Sequence, residues 1–222
     1  MKNKMMLLAA AAVAALAFAA LPALASANPT IDLSGSGHFT ASGGAAHLRT
    51  ASTSVNCTST TGTGDFTSST GGNVQFLFHG CTESVFGTAC TTSGQPSGTI
   101  QTESQPFELV TAKGSGDPAT LITPAANGRF ASFSCFGGFI NIVVTGNGVI
   151  GAITAPGYNE SSPTFTLDLN AIGAAQEITE IEGSATKFGL LSSTNGGAAE
   201  AASEEAEGVG TFAEGGEGEL TE

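Results

Sequence analysis

Apolar and polar residues alternate with a period of two along most of the chain, and helical periodicity is almost absent. In "TFTLDLNA", Phe165, Leu167 and Leu169 fall on one side and the polar residues between them on the other. Alternation of this kind is typical of strands that bury one face. The pattern predicts a β protein.

Several further segments carry the same signal. "NVQFLFHG" places Val74, Phe76 and Phe78 inward and Gln75 and His79 outward. Two other segments, "FASFSCF" and "FINIVVTG", are apolar on both faces, as strands covered on both sides are. The remaining predicted strands are "HLRTASTSVNC", "GTIQTE", "FELVTA", "VIGAITA" and "EITEIEG".

Turn signals separate these segments at short intervals, for example "SGG", "TGG", "TGNG", "APG" and "NGG". Many short strands divided in this way are typical of sandwiches and barrels. We therefore predict an all-β fold, an antiparallel β-sandwich or a barrel-like Greek key with ten or more short strands.

The stretch "INIVVTGNGVIGAI" spells G-x-G-x-x-G with Gly146, Gly148 and Gly151, which is the pattern of a dinucleotide-binding turn. That turn must open a helix, and Pro156 follows too soon for one. The Asn-Gly dipeptide instead predicts a type I′ hairpin between strands 140–145 and 149–155. The predicted central core residues of this stretch are Ile140, Ile142, Val144, Val149 and Ile153.

A phenylalanine-bearing motif recurs as "GHFTASGG", "GDFTSSTGG" and, more loosely, "GTFAEGG". The spacing is irregular, so the motif is not a solenoid repeat. We interpret it as one kind of hairpin used repeatedly, with Phe39, Phe66 and Phe212 in the core.

The first residues resemble an export signal. Lys2 and Lys4 precede an apolar run over 5–21, and Ala25-Ser26-Ala27 fits a cleavage site, with Ala23-Leu24-Ala25 as a second candidate. We expect residues 1–27 to be a signal peptide and residues 28–222 to form a single secreted all-β domain. No later segment is apolar enough to span a membrane, so the expected localisation is extracellular or at the cell surface.

The chain is acidic, with a formal net charge of −13, and eight of its acidic residues lie beyond Asn195. Such a surface repels nucleic acid and anionic lipid. The acidic C-terminal segment 195–222 contains "GGAAEAASEEAEG", which suits a short exposed helix, a loop or a mobile strand. "GVGTFAEGGEGELTE" then predicts a terminal hairpin or a disordered tail, with Phe212 and Leu220 favouring a docked end.

The four cysteines, Cys57, Cys81, Cys90 and Cys135, form an even set in an exported chain, which predicts two disulfides. Three pairings are possible. We favour Cys81–Cys90, which closes a short loop, together with Cys57–Cys135 as a long-range link.

Motifs for catalysis are missing from the sequence. There is no G-x-S-x-G, and His38, His47 and His79 lack metal-ligand spacing and read as exposed sheet residues. Asp168 and Asn170 share a face, but no calcium loop surrounds them. We predict no catalytic residue, no cofactor and no metal site.

Paired carboxylates are the one catalytic arrangement left open. Glycosidases need two carboxyl groups about 5–5.5 or 6.5–9.5 Å apart. Candidates are Glu103, Glu108, Asp168 and the acids of "QEITEIEG", namely Glu177, Glu180 and Glu182.

A run from Cys57 onward resembles a known pattern. The elements are "HGC" at 79–81, Cys90, "GQPSGTI" and "F-x-C" at 133–135, within residues 50–155. They resemble exported, β-rich, four-cysteine proteins of high-GC Gram-positive (actinobacterial) bacteria, a family with no known function. The resemblance implies export and a disulfide framework.

Together these patterns favour a non-enzymatic secreted or cell-envelope binding or structural protein. The partner classes that suit it are a cell-wall glycan or another envelope protein. The alternative is a secreted, carboxylate-dependent glycoside hydrolase acting on cell-wall polysaccharide.

Overall fold

The computed structural model describes residues 28–221, which form an almost purely β structure. The helical turns in this range are two three-residue 3-10 helices, Phe136–Gly138 and Ala213–Gly215. The predicted signal peptide, residues 1–27, lies outside the described residues.

Eight antiparallel strands close into a barrel. Neighbours around the barrel follow chain order, and the last strand pairs with the first. The strands are β2 (His38–Thr50), β4 (Ser59–Ser68), β5 (Gly71–His79), β9 (Gln105–Thr111), β10 (Pro118–Ile122), β13 (Val149–Ala155), β15 (Thr164–Leu169) and β19 (Glu200–Phe212). The all-β prediction is confirmed, and the barrel alternative has the order of an up-and-down barrel rather than of a Greek key.

A second ring of strands shares β2 and β19 with the barrel. Both are 13 residues long, and their pairing continues beyond the barrel wall from Ala46 to Thr50. The other members are β3 (Ser54–Cys57), β6 (Thr82–Glu83), β7 (Cys90–Thr91), β11 (Ala131–Cys135), β12 (Ile140–Gly146) and β18 (Leu190–Thr194). A bridge between Thr82 and Ala89 connects β6 to β7 and closes the ring.

A bulge in the shared strands marks the passage from barrel to second ring. Gly43 lies opposite Gly208 and Ala46 opposite Ala206, so β2 has one more residue than β19 in this interval. One extra residue reverses which side chains of a strand face inward. Odd-numbered Phe39 is therefore buried before the bulge, and even-numbered Ala46 is buried after it.

A three-stranded sheet lies at one end of the barrel. It joins β1 (Thr30–Ser34), β14 (Ser161–Ser162) and β20 (Glu217–Thr221), with β20 in the middle. Ile31 and Leu220 are 6% and 3% exposed, so the end of the chain is docked, as Leu220 predicted. The predicted terminal hairpin is wrong, because β20 pairs with β1 and β14 and not with β19.

Phenylalanine rings fill the barrel interior. Phe39 lies 5.0 Å from Phe165 and 5.7 Å from Phe66, and Phe66 lies 4.9 Å from Phe107, all between ring centroids. Phe212 joins them at 5.5 Å from Phe165. Edge-to-face and tilted rings at these distances attract each other. The predicted core roles of Phe39, Phe66 and Phe212 are confirmed.

A smaller apolar cluster covers the outer face of the barrel. Ile178, Ile181 and Phe188 pack against Val110 and Ile150 of the wall. The segment "EITEIEG" is therefore a loop with one bridge, Ala112 to Ile181, and the strand predicted there is wrong. Isoleucines and polar residues follow each other in this loop as they would in a strand, because Ile178 and Ile181 cover the apolar outer face of the barrel. The remaining short strands are β8 (Ile100–Gln101), β16 (Ala171–Ile172) and β17 (Ala175–Gln176).

The two strands of "INIVVTGNGVIGAI" form, but they do not pair with each other. β12 pairs with β11 and β18, whereas β13 pairs with β10 and β15. The predicted hairpin is therefore wrong. Asn147 instead binds the neighbouring chain, because its side chain donates to Lys187 O at 2.8 Å and accepts from Gly189 N at 3.0 Å. The predicted core residues of both strands are buried or packed against the core.

Two disulfides join the cysteines as Cys57–Cys81 and Cys90–Cys135. The prediction of two disulfides is confirmed, and the favoured pairing is wrong. Cys57, Cys90 and Cys135 lie in β3, β7 and β11, and Cys81 directly precedes β6, so the four follow the order of these strands around the second ring. A Cys81–Cys90 bond would leave Cys57 and Cys135 three strands apart, roughly 10 Å or more, beyond the reach of a disulfide.

Candidate functional site

Four large apolar side chains lie together on the surface beside the disulfides. Val85, Phe86, Phe136 and Phe139 are 66%, 68%, 49% and 75% exposed. The ring centroid of Phe136 is 5.9 Å from that of Phe86 and 5.7 Å from that of Phe139. We call these four residues the aromatic cluster. Contiguous exposed apolar groups of this kind mark binding surfaces.

Local backbone geometry keeps Phe136 and Phe139 on the surface. Phe136, Gly137 and Gly138 have φ angles of 52°, 63° and 98°. A bulky residue at positive φ is rare and costs on the order of 1–3 kcal/mol, and such residues concentrate at functional sites. The turn directly follows Cys135, whose disulfide to Cys90 holds its base.

The other half of the aromatic cluster is held by a buried carboxylate. Glu83 is 2% exposed, and its two oxygens accept hydrogen bonds from Val85 N at 2.7 Å and Phe86 N at 2.9 Å. This bonding closes the turn between β6 and β7. Cys81, two residues before Glu83, ties the same turn to β3. Both halves of the cluster are therefore anchored next to a disulfide.

A groove of about 520 Å³ runs beside the aromatic cluster. Its lining contains no charged residue and consists of Thr88, Ala89, Thr91, Ser97, Ser134, Phe136, Gly137, Gly138 and Phe139. Within residues 28–221, the hydroxyl of Ser97 and that of Ser134 have no hydrogen-bond partner. Volumes of this size, with aromatic walls and a few free polar groups, suit small-molecule ligands.

Two cavities lie inside the molecule. The first, of about 90 Å³, is in the barrel and is lined by the phenylalanine cluster. The second, of about 70 Å³, lies towards the second ring. Phe76, Phe78, Ile122 and Leu169 border both, so the cavities are adjacent. An eight-stranded barrel is just wide enough to be filled by side chains or to hold one small ligand.

Glu204 of β19 lines the second cavity. It lies opposite Leu48 of β2, on the inward-facing side of the sheet. The residue is partly buried, and its side chain lines the cavity. Burial, with the nearby Glu205 as a lesser cause, raises the pKa of Glu204 to about 8. The carboxyl group is therefore protonated at neutral pH.

The three histidines lie apart, each with its own polar partner on an adjacent strand. His38 Nδ1 is 2.9 Å from Asp65 Oδ1, and His47 Nδ1 is 2.8 Å from Asn56 Oδ1. His79 Nε2 is 2.9 Å from Thr61 Oγ1. Each is thus bound in a cross-strand pair on the sheet surface. Residues 28–221 contain no cluster of His, Cys, Asp and Glu side chains suited to a metal ion.

Two of the predicted candidate acids, Glu180 and Glu182, lie beside the same turn, Lys113-Gly114. Glu180 forms ion pairs with Lys113 and Lys187. The hydrogen bonds from these two lysines lower the pKa of Glu180. The hydrogen bond to Glu180 in turn raises the pKa of Lys113. Glu182 accepts a hydrogen bond from Gly114 N at 3.1 Å. These acids hold the outer loop to the barrel.

The remaining candidate acids lie elsewhere. Glu103 accepts a hydrogen bond from Asn127 Nδ2 at 3.3 Å, while Glu108 and Glu177 are exposed. Asp168 lies directly opposite Glu207 of β19. Glu207 is an acid that the sequence analysis did not propose as a candidate.

Sequence reasoning missed the aromatic cluster, although "CFGGF" carries a signal for it. Two phenylalanines around a Gly-Gly pair do not alternate as a strand does, and glycines at positive φ place flanking side chains in a turn. It also missed Glu204, which was read as part of an acidic surface segment. β19 alternates Ala202, Glu204 and Ala206 inward, and the small alanines hide that periodicity.

Comparisons of the chain with protein-family models, with curated proteins and with solved structures found no match. Within residues 28–221 no helix has the length and apolar character needed to cross a membrane. The two disulfides indicate an oxidising, extracellular setting.

Proposed function

We propose that this protein is a non-enzymatic, secreted or cell-envelope binding protein that contacts a neutral glycan through the aromatic cluster and its groove. The observation that carries the proposal is the exposure of Phe136 and Phe139 at 49% and 75% beside an uncharged groove. Burying one such ring on binding contributes about 1.5–3 kcal/mol.

The groove chemistry favours a sugar over other ligands. Its rings offer flat apolar faces, and Ser97 and Ser134 offer hydroxyls that can both donate and accept hydrogen bonds. A glycan presents the same combination of C–H faces and hydroxyls. The absence of charge in the lining, in a chain of net charge −13, argues for a neutral ligand rather than a charged polymer.

The site is also rigid, which supports binding. Disulfides lie at the base of both halves of the aromatic cluster, and Glu83 fixes the turn that carries Phe86. Pre-organised side chains lose little conformational freedom on binding, so more of the contact energy appears as affinity. The N-terminal signal pattern and the disulfides support an extracellular location.

A co-sedimentation experiment tests the proposal. The protein is incubated with insoluble cell-wall polysaccharide, and bound protein is measured for the wild type, Phe136→Ala/Phe139→Ala and Ile172→Ala. Ile172 is 74% exposed on the β16–β17 hairpin, so its variant removes a comparable apolar group away from the groove. We expect loss of binding in the double variant only. Equal binding by all three proteins would contradict the proposal.

The same samples address the glycoside hydrolase alternative. The proposal predicts that no reducing ends accumulate during incubation. Release of reducing ends would favour the hydrolase, and Asp168→Asn and Glu207→Gln would then test the carboxylate pair that the β15–β19 register creates.

A further inference from the structure

We propose that the adjacent interior cavities form a second binding site, which takes a small apolar amine whose ammonium group pairs with the Glu204 carboxylate. This site is separate from the surface groove. It rests on the shape of the interior and on the Glu204 carboxyl group, which lines the second cavity and has no partner within residues 28–221.

The size of the interior limits the ligand to about one ring. Each cavity, of about 90 or about 70 Å³, is smaller than the ~150 Å³ apolar cavity that binds benzene in another protein, so a ring-sized ligand must extend across both. The phenylalanine rings at one end supply an apolar surface. The ligand therefore has an apolar body no larger than a single ring.

The polar side chains of the second cavity show where the ligand's polar end lies. Three of them line it: Thr102, Gln105 and Glu204. Gln105 donates to Phe130 O at 3.0 Å, and Thr102 accepts from Phe76 N at 2.9 Å. The Glu204 carboxyl has no hydrogen-bond or ion-pair partner within residues 28–221. Unpaired buried carboxyls are costly.

The charge around Glu204 selects a cation. No Lys, Arg or His lines the cavity. Beside Glu204 on β19 and β2, Glu205 and Arg49 bind each other at 2.9 Å and His47 binds Asn56, while Glu207 of β19 lines the barrel cavity. None of these can neutralise a carboxylate on the inner face. An ammonium group can, through charge-assisted hydrogen bonds.

Binding of the amine is coupled to a proton. Glu204 carries a proton in the free protein below pH 8, and that proton passes to solvent when the ammonium ion binds the carboxylate. The affinity for the amine therefore rises with pH up to about 8. A neutral ligand of the same shape shows no such dependence.

The test compares benzylamine with toluene by NMR titration of the wild type, Glu204→Gln and Glu205→Gln. We expect wild type to bind benzylamine at least about tenfold more tightly than toluene at pH 8. Glu204→Gln is expected to lose this preference while still binding toluene, which also reports that it is folded. Glu205→Gln removes an adjacent charge on the outer face and is expected to keep the preference.

Three results would overturn the proposal: equal affinities in the wild type, a preference for benzylamine that survives Glu204→Gln, or no binding of either probe. A filled cavity gives a second check. Ala206 lines the barrel cavity, so Ala206→Leu is expected to weaken both probes. Because Phe136→Ala/Phe139→Ala alters only the groove, it leaves benzylamine binding unchanged, and the two proposed sites can fail separately.

Discussion

Cys81 and Cys90 face each other on neighbouring strands, with a 2.9 Å hydrogen bond from Cys90 N to Cys81 O, yet each forms its disulfide with a cysteine on its other side. The four cysteines thus lie in one row across four strands. In such a row only neighbours can bond, and two disulfides form only by pairing the first with the second and the third with the fourth.

This row predicts the outcome of disulfide mapping. Non-reduced peptide mapping of the purified protein should recover the linkages Cys57–Cys81 and Cys90–Cys135. Alkylation before reduction should label none of the four. Recovery of a Cys81–Cys90 peptide from freshly purified protein would contradict the assigned pairing, and a Cys57–Cys135 peptide would contradict the strand order as well.

Thr60 carries a hydroxyl that the fold does not satisfy. It is 9% exposed, lines the barrel cavity, and its Oγ1 has no hydrogen-bond partner within the described chain. Replacing an orphaned buried hydroxyl by a methyl group removes its desolvation cost, so Thr60→Val should stabilise the protein by about 1 kcal/mol.

Chemical denaturation measures this change, and Thr63→Val is the matched control. Thr63 lies on the same strand but is exposed. Its replacement should alter the free energy of unfolding by less than about 0.5 kcal/mol. Destabilisation by Thr60→Val would indicate that the hydroxyl is hydrogen-bonded, for example by water in the cavity.

Gly210 allows the ring of Phe165 to pack closely against β19. A Cβ atom at this position would overlap the ring of Phe165, whereas a Cβ at Gly208 would lie 3.6 Å from the nearest atom, Ser42 O. Overpacking of a filled core costs about 1–3 kcal/mol. Gly210→Ala should therefore lower the free energy of unfolding by that amount, and Gly208→Ala should be neutral or stabilising.

The same denaturation experiment separates the two glycines. Equal effects of both substitutions would show that the close packing of Phe165 on β19 is incorrect. A smaller residue at position 165 offers a rescue, because Phe165→Leu should make Gly210→Ala less harmful than it is in the wild type.

Glu204 makes stability depend on pH. Its pKa is about 8 in the folded protein and about 4.3 in the unfolded chain, so the folded state binds more protons between these values. The contribution of Glu204 to the free energy of unfolding should be highest below about pH 4.3. It should fall as pH rises to about 8, by an amount on the order of a few kcal/mol, and change no further above that.

Unfolding measurements from pH 5 to 9 test this dependence. Glu204→Gln should be less sensitive to pH than the wild type and more stable at pH 9, because an uncharged amide needs no proton. Glu205→Gln should keep the wild-type decline. Parallel pH curves for the wild type and Glu204→Gln would show that the carboxyl group is solvated.

Short-range signals in the sequence identified strands well and their partners poorly. The alternation of Phe165, Leu167 and Leu169 correctly placed all three towards the interior, because it depends only on which face of a strand is buried. The hairpin predicted from Asn147-Gly148 is wrong because the rule uses only local sequence. That rule cannot detect that Asn147 binds Lys187 O, 40 residues away.

The candidate sites needed the closed barrel before they could be recognised. Phe86 and Phe136 are 50 residues apart, and the pairing of β7 with β11, together with the Cys90–Cys135 disulfide, brings their turns together. Glu204 belongs to a segment rich in acids, and pairing with β2 is what turns this one carboxyl inward. Contacts of this range depend on topology, which strand periodicity alone does not determine.

Phe136 and Phe139 are proposed to form a glycan-binding surface, and a dissociation constant measures that binding quantitatively. Soluble neutral oligosaccharides, released from cell walls, are titrated by calorimetry into wild type, Phe136→Ala/Phe139→Ala and Ile172→Ala. We expect saturable binding that weakens at least about tenfold in the double variant and stays unchanged in Ile172→Ala. Equal affinities of the wild type and the double variant, or no binding of any oligosaccharide, would contradict it.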